Sequence, residues 1–318
     1  MSVLLTGATG QLGQSLVSAR PEGIKLIASS RAGGPGLLAI DLADAAACRR
    51  AVVEHRPDWV VNAGAYTAVD RAESEPELAL AVNGGAPRAL AEALAGSGGR
   101  LLQLSTDFVF SGKQGSPYQP SQARDPLGVY GATKAAGEEA VEQLLGSSGR
   151  GVILRTSWVL GPVGSNFALT MLRLHRQRGS AGEPLGVVAD QVGCPTSTFT
   201  LAAACWRVIT RDWGVPAPEG SKPLPPLLHW SDAGAASWYD VAVAVGELGL
   251  EMGLMSSRAR VIPLTTAQYP RPARRPSYSL LECGDTRRLL GLEPCHWRTA
   301  LSQVLQAASG RSQLVGMP

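Results

Sequence analysis

Nowhere in this chain of 318 residues do about eighteen apolar residues run together, so no membrane-spanning helix is expected. The N-terminus lacks the basic flank and cleavage site of a secretion signal, and "VLLTGATG" passes directly from an apolar strand into glycines. Lys and Arg form no long block and the net charge is only +3, which argues against a nucleic-acid partner. The densest basic stretches are "RLHRQR" (Arg173 to Arg178) and "RPARRP" (Arg271 to Pro276), each suited to a solvated face or to the phosphates of a small anionic ligand. The five cysteines (Cys48, Cys194, Cys205, Cys283, Cys295) contain no C-x-x-C pair and are odd in number. That usage fits a reducing cytoplasm with unpaired thiols. His55, His175, His229 and His296 are scattered, so neither a zinc site nor any other metal is expected. No internal repeat is visible.

What is present is an alternation. Short apolar runs ("SVLL", "IKLIAS", "GLLAI", "DWVVNAG", "RLLQLST", "GVILRTSWV") are separated by helical patterns, among them "DAAACRRAVVEH" and the long "ELALAVNGGAPRALAEAL". Buried Val- and Leu-rich strands spaced by helices predict an α/β protein with a doubly wound parallel sheet. Beyond Gly161 the pattern loosens: "NFALTMLRLH" and "SWYDVAVAVGEL" read as helices, "LGVVADQVGCPTST" as extended chain, and "RTALSQVLQAA" as a terminal helix. Pro216 to Pro226 reads as an exposed connection.

"TGATGQLG" sets Gly7, Gly10 and Gly13, with Gln11 and Leu12 between the last two, after the first strand and before the first helix. Glycines permit a tight turn and a close backbone approach to a pyrophosphate seated on the helix N-terminus. The order strand, glycines, helix is the context a dinucleotide site requires, although a tight structural turn has a similar appearance. About 20 residues on, an acidic side chain would favour NAD. This chain has Ser29, Ser30 and Arg31 there, and hydroxyls with a guanidinium suit the 2′-phosphate of NADPH, with NADH a possibility. Asp41, followed by Leu42, is placed either to accept from the adenine amino group or to cap the next helix.

"VYGATKAAGEEAV" sets Tyr130 four residues before Lys134, on one face of a helix. A cation there would lower the phenol's pKa and make a proton donor or acceptor usable near neutrality. A surface Tyr/Lys pair on an amphipathic helix is the bland alternative.

With the glycine turn, Thr106 in "LSTDFVF" and Tyr130-x-x-x-Lys134 in order, the chain resembles the extended short-chain dehydrogenases/reductases. It is most similar to their dTDP-4-dehydrorhamnose reductase branch through "VNAGAYTAVDRAESEPELALAVN", "STDFVFSG", "PLGVYGATKAAGE", "LRTSWVLGPVGSNFALTMLRL", "DQVGCPTS" and "YPRPARRPSYSLLE". The resemblance runs from about Ser2 to Leu305. It implies a Rossmann domain of residues 1–161 and about 195–230 that binds NADPH, and a smaller, partly interleaved α/β domain of about 162–194 and 231–318 that binds a sugar nucleotide. It implies reduction of the C4 keto group of dTDP-4-dehydro-beta-L-rhamnose to dTDP-L-rhamnose. Tyr130 would protonate the new alkoxide, Lys134 would hold the nicotinamide ribose, and Thr106 would hydrogen-bond the substrate oxygen. The turn Ala63, Gly64, Ala65, Tyr66 and Thr67 would lie against the cofactor. Asp107, Phe108, Trp158 and Arg275 would meet the substrate, the last at its diphosphate.

A dehydratase of the same fold carries Asp-Glu after the threonine; Asp107 is followed here by Phe108, so the base is missing. An epimerase holds NAD tightly, which Ser29 to Arg31 disfavour. A non-catalytic regulator similar to the beta subunit of methionine adenosyltransferase is the reading from another class, and the intact Thr106, Tyr130 and Lys134 set weighs against it. Phe108 stands where many relatives have tyrosine, and Gly64 where alanine is common. Some relatives dimerise through magnesium held by glutamates, one just after the glycine turn. Gln14 and Ser15 occupy that place here, so a monomer or weak homodimer without metal is expected, in the cytoplasm.

Overall fold

The structure is a computed structural model that describes residues 1–211 and 224–315. Most of the proline-rich connection expected at Pro216 to Pro226 lies outside the described residues. The chain runs β1 (Ser2–Thr6), α1 (Gln11–Ser18), β2 (Lys25–Ser30), β3 (Leu38–Ala39), α2 (Ala45–His55) and β4 (Trp59–Asn62). Then come α3 (Val69–Ala72), α4 (Pro76–Leu80), α5 (Ala86–Ser97), β5 (Arg100–Thr106), α6 (Val129–Leu145), β6 (Gly151–Thr156) and β7 (Val159–Leu160). The remainder is α7 (Phe167–Ala181), β8 (Leu185–Val188), β9 (Val192–Gly193), β10 (Thr196–Ser197), α8 (Thr198–Thr210), β11 (Leu227–Trp230), β12 (Ala236–Ser237), α9 (Trp238–Glu251), β13 (Val261–Leu264), α10 (Gly284–Leu290) and α11 (Trp297–Val315).

Seven parallel strands form one sheet in the order β11-β6-β5-β4-β1-β2-β3. The order reverses at β1 and β4, the switch point outside which doubly wound sheets bind ligands. Helices cover both faces. One core joins Leu5, Val61, Leu102 and Leu154 to Leu16, Trp206 and Leu290; the other joins Leu4, Val60, Leu101 and Ile153 to Val52, Leu90 and Val141. A separate core of Leu172, Val241, Val245, Trp297, Leu301 and Leu305 holds α7, α9 and α11 together as a smaller lobe.

A buried side-chain ladder locks the switch point: Thr6 Oγ1 donates to Asn62 Oδ1 at 2.6 Å, Asn62 Nδ2 to Gln103 Oε1 at 2.8 Å, and Gln103 Nε2 to Leu104 O at 2.8 Å. These buried polar side chains satisfy one another across β1, β4 and β5, which helps keep the three strands in register.

Three expected elements differ. The long pattern from Glu77 to Leu94 is two helices joined by a π-helical turn at Ala81–Gly85, not one helix. Pro87 has no N–H to donate to a carbonyl four residues back, so the ladder slips there. "GLLAI" yields only the two-residue β3. "GVILRTSWV" stops being strand at Thr156, because Trp158 takes φ 46° in the left-handed region.

Candidate active site

A cleft of about 810 Å³ lies along the carboxyl ends of the strands. Gly7, at φ +67°, turns the chain out of β1, and a Cβ there would sit 2.7 Å from the Gly64 Cα. The turns after β1 and β4 therefore touch because Gly7 has no side chain; a Cβ on Gly64 would instead meet Leu42 Cδ1 at 2.5 Å. The N-terminus of α1 has Gly10 as its cap, without a side-chain hydrogen bond, so its first N–H groups are open to an acceptor. Gln11 Oε1 accepts from Gly161 N (3.0 Å) and Asn166 Nδ2 (2.8 Å), tying the glycine turn to the loop after β7.

Of the residues expected to meet a cofactor, Gly7, Gly10, Gln11, Leu12, Ser30, Arg31, Asp41, Leu42, Ala63, Gly64, Ala65 and Thr67 line this cleft. Gly13 does not; a Cβ on it would meet Gly7 O at 2.1 Å, so its smallness packs helix against turn. Tyr66 does not either. Its hydroxyl donates to Glu75 Oε2 at 2.5 Å and its N–H to Asn83 Oδ1, so the ring turns away from the cleft. Ser29 is spent on Leu5 O. Asp41 accepts from Ala43 N, while the cap of α2 is Asp44, three residues on. The cradle fits a dinucleotide: open helix N–H groups at one end and the Arg31 guanidinium at the β2 end, where the Ser30 hydroxyl donates to Gly33 O at 3.1 Å.

Thr106, Tyr130 and Lys134 meet in the same cleft. Thr106 ends β5 and faces Thr156 of β6 in register. Its hydroxyl donates to Asp107 Oδ1 at 3.0 Å and accepts from Phe108 N at 3.1 Å, so it also serves as the strand-end cap. Lys134 is buried and donates to Leu104 O at 2.6 Å. The lowered phenol pKa expected from the Tyr/Lys spacing is absent. Burial pushes Tyr130 up to about 12, opposed by the Thr106 hydroxyl and reinforced by the Asp107 charge. The ammonium points to a carbonyl of β5 and is not among the causes of the shift, so loss of water around the phenolate prevails. Burial also pulls Lys134 down to about 8, with the Glu138 carboxylate working against it. Asp107 is raised to about 6 by burial, with hydrogen bonds from Ser279 and Thr106 opposing.

Beneath Lys134, Glu138 has no exposed surface and accepts from Arg155 Nη2 at 2.7 Å, from Arg124 Nε at 2.6 Å, and from the Ser105 hydroxyl. The two guanidiniums hold its carboxyl below the usual range despite burial. Phe108 packs edge-on against the Tyr130 ring, with centroids 5.5 Å apart.

Trp158 lines the far side of the cleft, and its ring stacks on Trp238 at 3.6 Å. A Cβ on Gly193 would fall 2.6 Å from that indole. Trp238, Phe167 and Asn166 also line the cleft and were not singled out from sequence. Asn166 had a signal, standing before an apolar-periodic run as the cap of α7; Trp238 had none. Arg275 lines the cleft but is paired with Asp70. "RLHRQR" is away from it: Arg176 and Arg178 donate to Leu254 O and Pro184 O, which makes them carbonyl clamps. Among the described residues no group of three His, Cys, Asp or Glu is placed to hold a metal, and no helix is long and apolar enough to cross a membrane.

Residues 1–309 match the family described as RmlD substrate binding domain. A dTDP-4-dehydrorhamnose reductase of Streptomyces griseus is 43% identical over 97% of this chain and 94% of its own. A probable dTDP-4,6-dihydroxy-2-methyloxan-3-one 4-ketoreductase of Streptomyces antibioticus is 40% identical over 95% of this chain and 94% of its own. Among solved structures, a dTDP-4-dehydrorhamnose reductase of Bacillus anthracis in complex with NADP superposes with a TM-score of 0.81 at 30% identity, over 96% of this chain and 98% of that one. With a parallel sheet reversing at β1, a glycine turn at that point and a Thr, Tyr and Lys set in one cleft, the chain belongs to the RmlD substrate binding domain family, in the dTDP-4-dehydrorhamnose reductase branch of the extended short-chain dehydrogenases/reductases.

Proposed function

We propose that this chain reduces the C4 keto group of dTDP-4-dehydro-beta-L-rhamnose to dTDP-L-rhamnose, as a cytoplasmic monomer or weak homodimer that prefers NADPH over NADH. The observation that carries the reading is the convergence of Thr106, Tyr130 and Lys134 with the glycine turn in one cleft. The residues of the β-sheet body bind the cofactor; α7, α9 and the segment around Arg275 supply the sugar-nucleotide side.

When bound, NADPH supplies the hydride. Tyr130 Oη donates its proton to O4 of the sugar as negative charge builds there, so the ketone gains one hydride and one proton. A phenol pushed up to about 12 is fully protonated at neutral pH, which is the form a donor needs. Thr106 turns its hydroxyl from Asp107 to the same oxygen and stabilises the developing charge. Lys134 holds the ribose hydroxyls and offsets the charge left on Tyr130 after transfer. Ser30 and Arg31 receive the 2′-phosphate, Gly10 to Leu12 the pyrophosphate, and Asp41 the adenine amino group. The stacked Trp158 and Trp238 give the sugar nucleotide a flat apolar wall.

The test is NADPH oxidation, followed spectrophotometrically, on adding dTDP-4-dehydro-beta-L-rhamnose, with NADH and the substrate of the Streptomyces antibioticus relative as comparisons. Turnover is expected, with Tyr130→Phe slower by about 10²- to 10⁴-fold. A wild-type protein that oxidises no NADPH would be a binding protein, and the reading fails. Near-normal turnover by the phenylalanine variant removes Tyr130 as the donor.

A further inference from the structure

Asp70 lies in the first turn of α3, three residues after Thr67 of the cofactor-side turn, and no part of the chemistry above uses it. Its carboxylate takes Arg275 end-on: Nη1 donates to Oδ1 at 2.9 Å and Nη2 to Oδ2 at 3.0 Å. Nη1 gives its second hydrogen to Ala273 O at 2.9 Å. Ala273 N also donates to Asp70 Oδ1, at 3.3 Å, and Arg271 Nε stands 3.5 Å from Oδ2. The segment carrying Arg275 is fastened again where Ser277 Oγ donates to Gly112 O at 3.0 Å.

A guanidinium has five N–H donors in a rigid plane. Three are consumed by Asp70 and Ala273 O. The two left, Nε–H and the second hydrogen of Nη2, point the same way along one edge of the plane, the side-on fork that matches two oxygens of a phosphate. Among the described residues no acceptor is recorded for Nε. The Arg275 side chain is 20% exposed and lines the cleft. One carboxylate between Arg271 and Arg275 leaves the group with a net positive charge, so an anion is still attracted.

We infer that Asp70 is a positioning residue: by holding one edge of the Arg275 guanidinium it presents the Nε/Nη2 edge to the cleft as a fixed two-pronged donor for a phosphate of the nucleoside diphosphate. The inference rests on the sugar-nucleotide reading above. It carries a definite sign. If Asp70 merely neutralised Arg275, removing its charge would strengthen anion binding; if it orients Arg275, removal weakens binding, because a freed arginine must be immobilised anew.

The probe is dTDP alone, titrated calorimetrically into wild type and Asp70→Asn, with NADPH affinity measured alongside and kinetics run on the keto sugar. The expected result for Asp70→Asn is a Kd for dTDP and a KM for the sugar nucleotide raised about tenfold, with kcat and NADPH affinity within about twofold. Asp70→Glu keeps the charge but displaces the fork, and falls between the two. Should the asparagine variant fail to fold, seen as lost NADPH binding, the glutamate variant decides by the same readings. Equal or tighter dTDP binding by the variant, with wild type binding normally, overturns the inference alone. A wild-type protein that ignores dTDP overturns the sugar-nucleotide reading, and this inference with it.

Discussion

At the residue scale, the pKa values of Tyr130, the proposed proton donor, and its neighbour Lys134 are displaced in opposite directions by the same cause. Burial disfavours the charged form of each, so Tyr130 rises to about 12 and Lys134 falls to about 8. Tyr130 therefore stays protonated throughout the neutral range, and on the proposed mechanism the titration that shapes the pH profile is that of Lys134. Below its pKa Lys134 is cationic and, on the proposed mechanism, would offset the charge left on Tyr130; above it that help would be lost. The expected outcome is a kcat/KM that is level up to about pH 8 and declines above it as the Lys134 ammonium deprotonates. Lys134→Met, measured across the same range with saturating NADPH, loses about 10²-fold at neutral pH and loses the alkaline limb with it. Retention of that limb by the methionine variant would assign it to another group. The spacing of Tyr130 and Lys134 was legible in the sequence because one helical turn is a local quantity. The sign of the phenol's shift was not, since it depends on how much water the finished fold leaves around the ring.

At the scale of the element, α6 carries Tyr130 and Lys134 of the proposed mechanism, and it is held by close backbone approaches. A Cβ on Gly131 would lie 2.2 Å from Phe108 O, and one on Gly137 the same distance, 2.2 Å, from Asn83 O. Asn83 sits in the π-helical turn, accepts from Tyr66 N, and donates to Tyr66 O and Thr133 Oγ1, so that turn joins the segment after β4 to α6. Glu73 adds a carboxylate that accepts from Val129 N at the helix start. Because Gly131 follows Tyr130 directly and its obstacle is backbone, Gly131→Ala must push the helix away from the turn Asp107–Val109 that follows β5. A cost of about 1–3 kcal/mol is expected in urea unfolding. A fall in kcat of about 10²-fold accompanies it, since the phenol moves with the helix. Gly96→Ala is the control: nothing lies within 4 Å of its added Cβ in α5, and it gains about 0.4–1 kcal/mol with activity unchanged. Periodicity announced α6 as a helix, but the break between α4 and α5 was hidden. The apolar pattern continues straight through Ala81–Gly85, and only the missing N–H of Pro87 marked the slip.

At the scale of the whole molecule, the chain passes between its two lobes repeatedly. After β7 it builds α7 and β8 in the smaller lobe, returns with α8 against α1 and β11 at the edge of the sheet, leaves again for α9, and comes back once more at α10. Leu290 of α10 belongs to the same core as Leu5 and Trp206, while α11 lies in the other lobe beside α7 and α9. The parallel sheet was readable from its Val- and Leu-rich runs, because burial on both faces writes itself into composition. The return of α10 was not, since a seven-residue helix carries too little periodicity to say which core it joins. This interleaving bears on unfolding. Melting the smaller lobe by itself would pull on α8 and β11, and so strip one edge of the sheet and the cover of α1. Two independent transitions are therefore disfavoured, and scanning calorimetry is expected to give one cooperative peak whose van't Hoff and calorimetric enthalpies agree. NADPH at 100 times its Kd should raise that single transition by about 2.7 kcal/mol of binding free energy. Two resolved peaks, with NADPH moving only one, would mean that the lobes are energetically separate despite the crossings, and that the cleft between them is free to open without cost to the sheet.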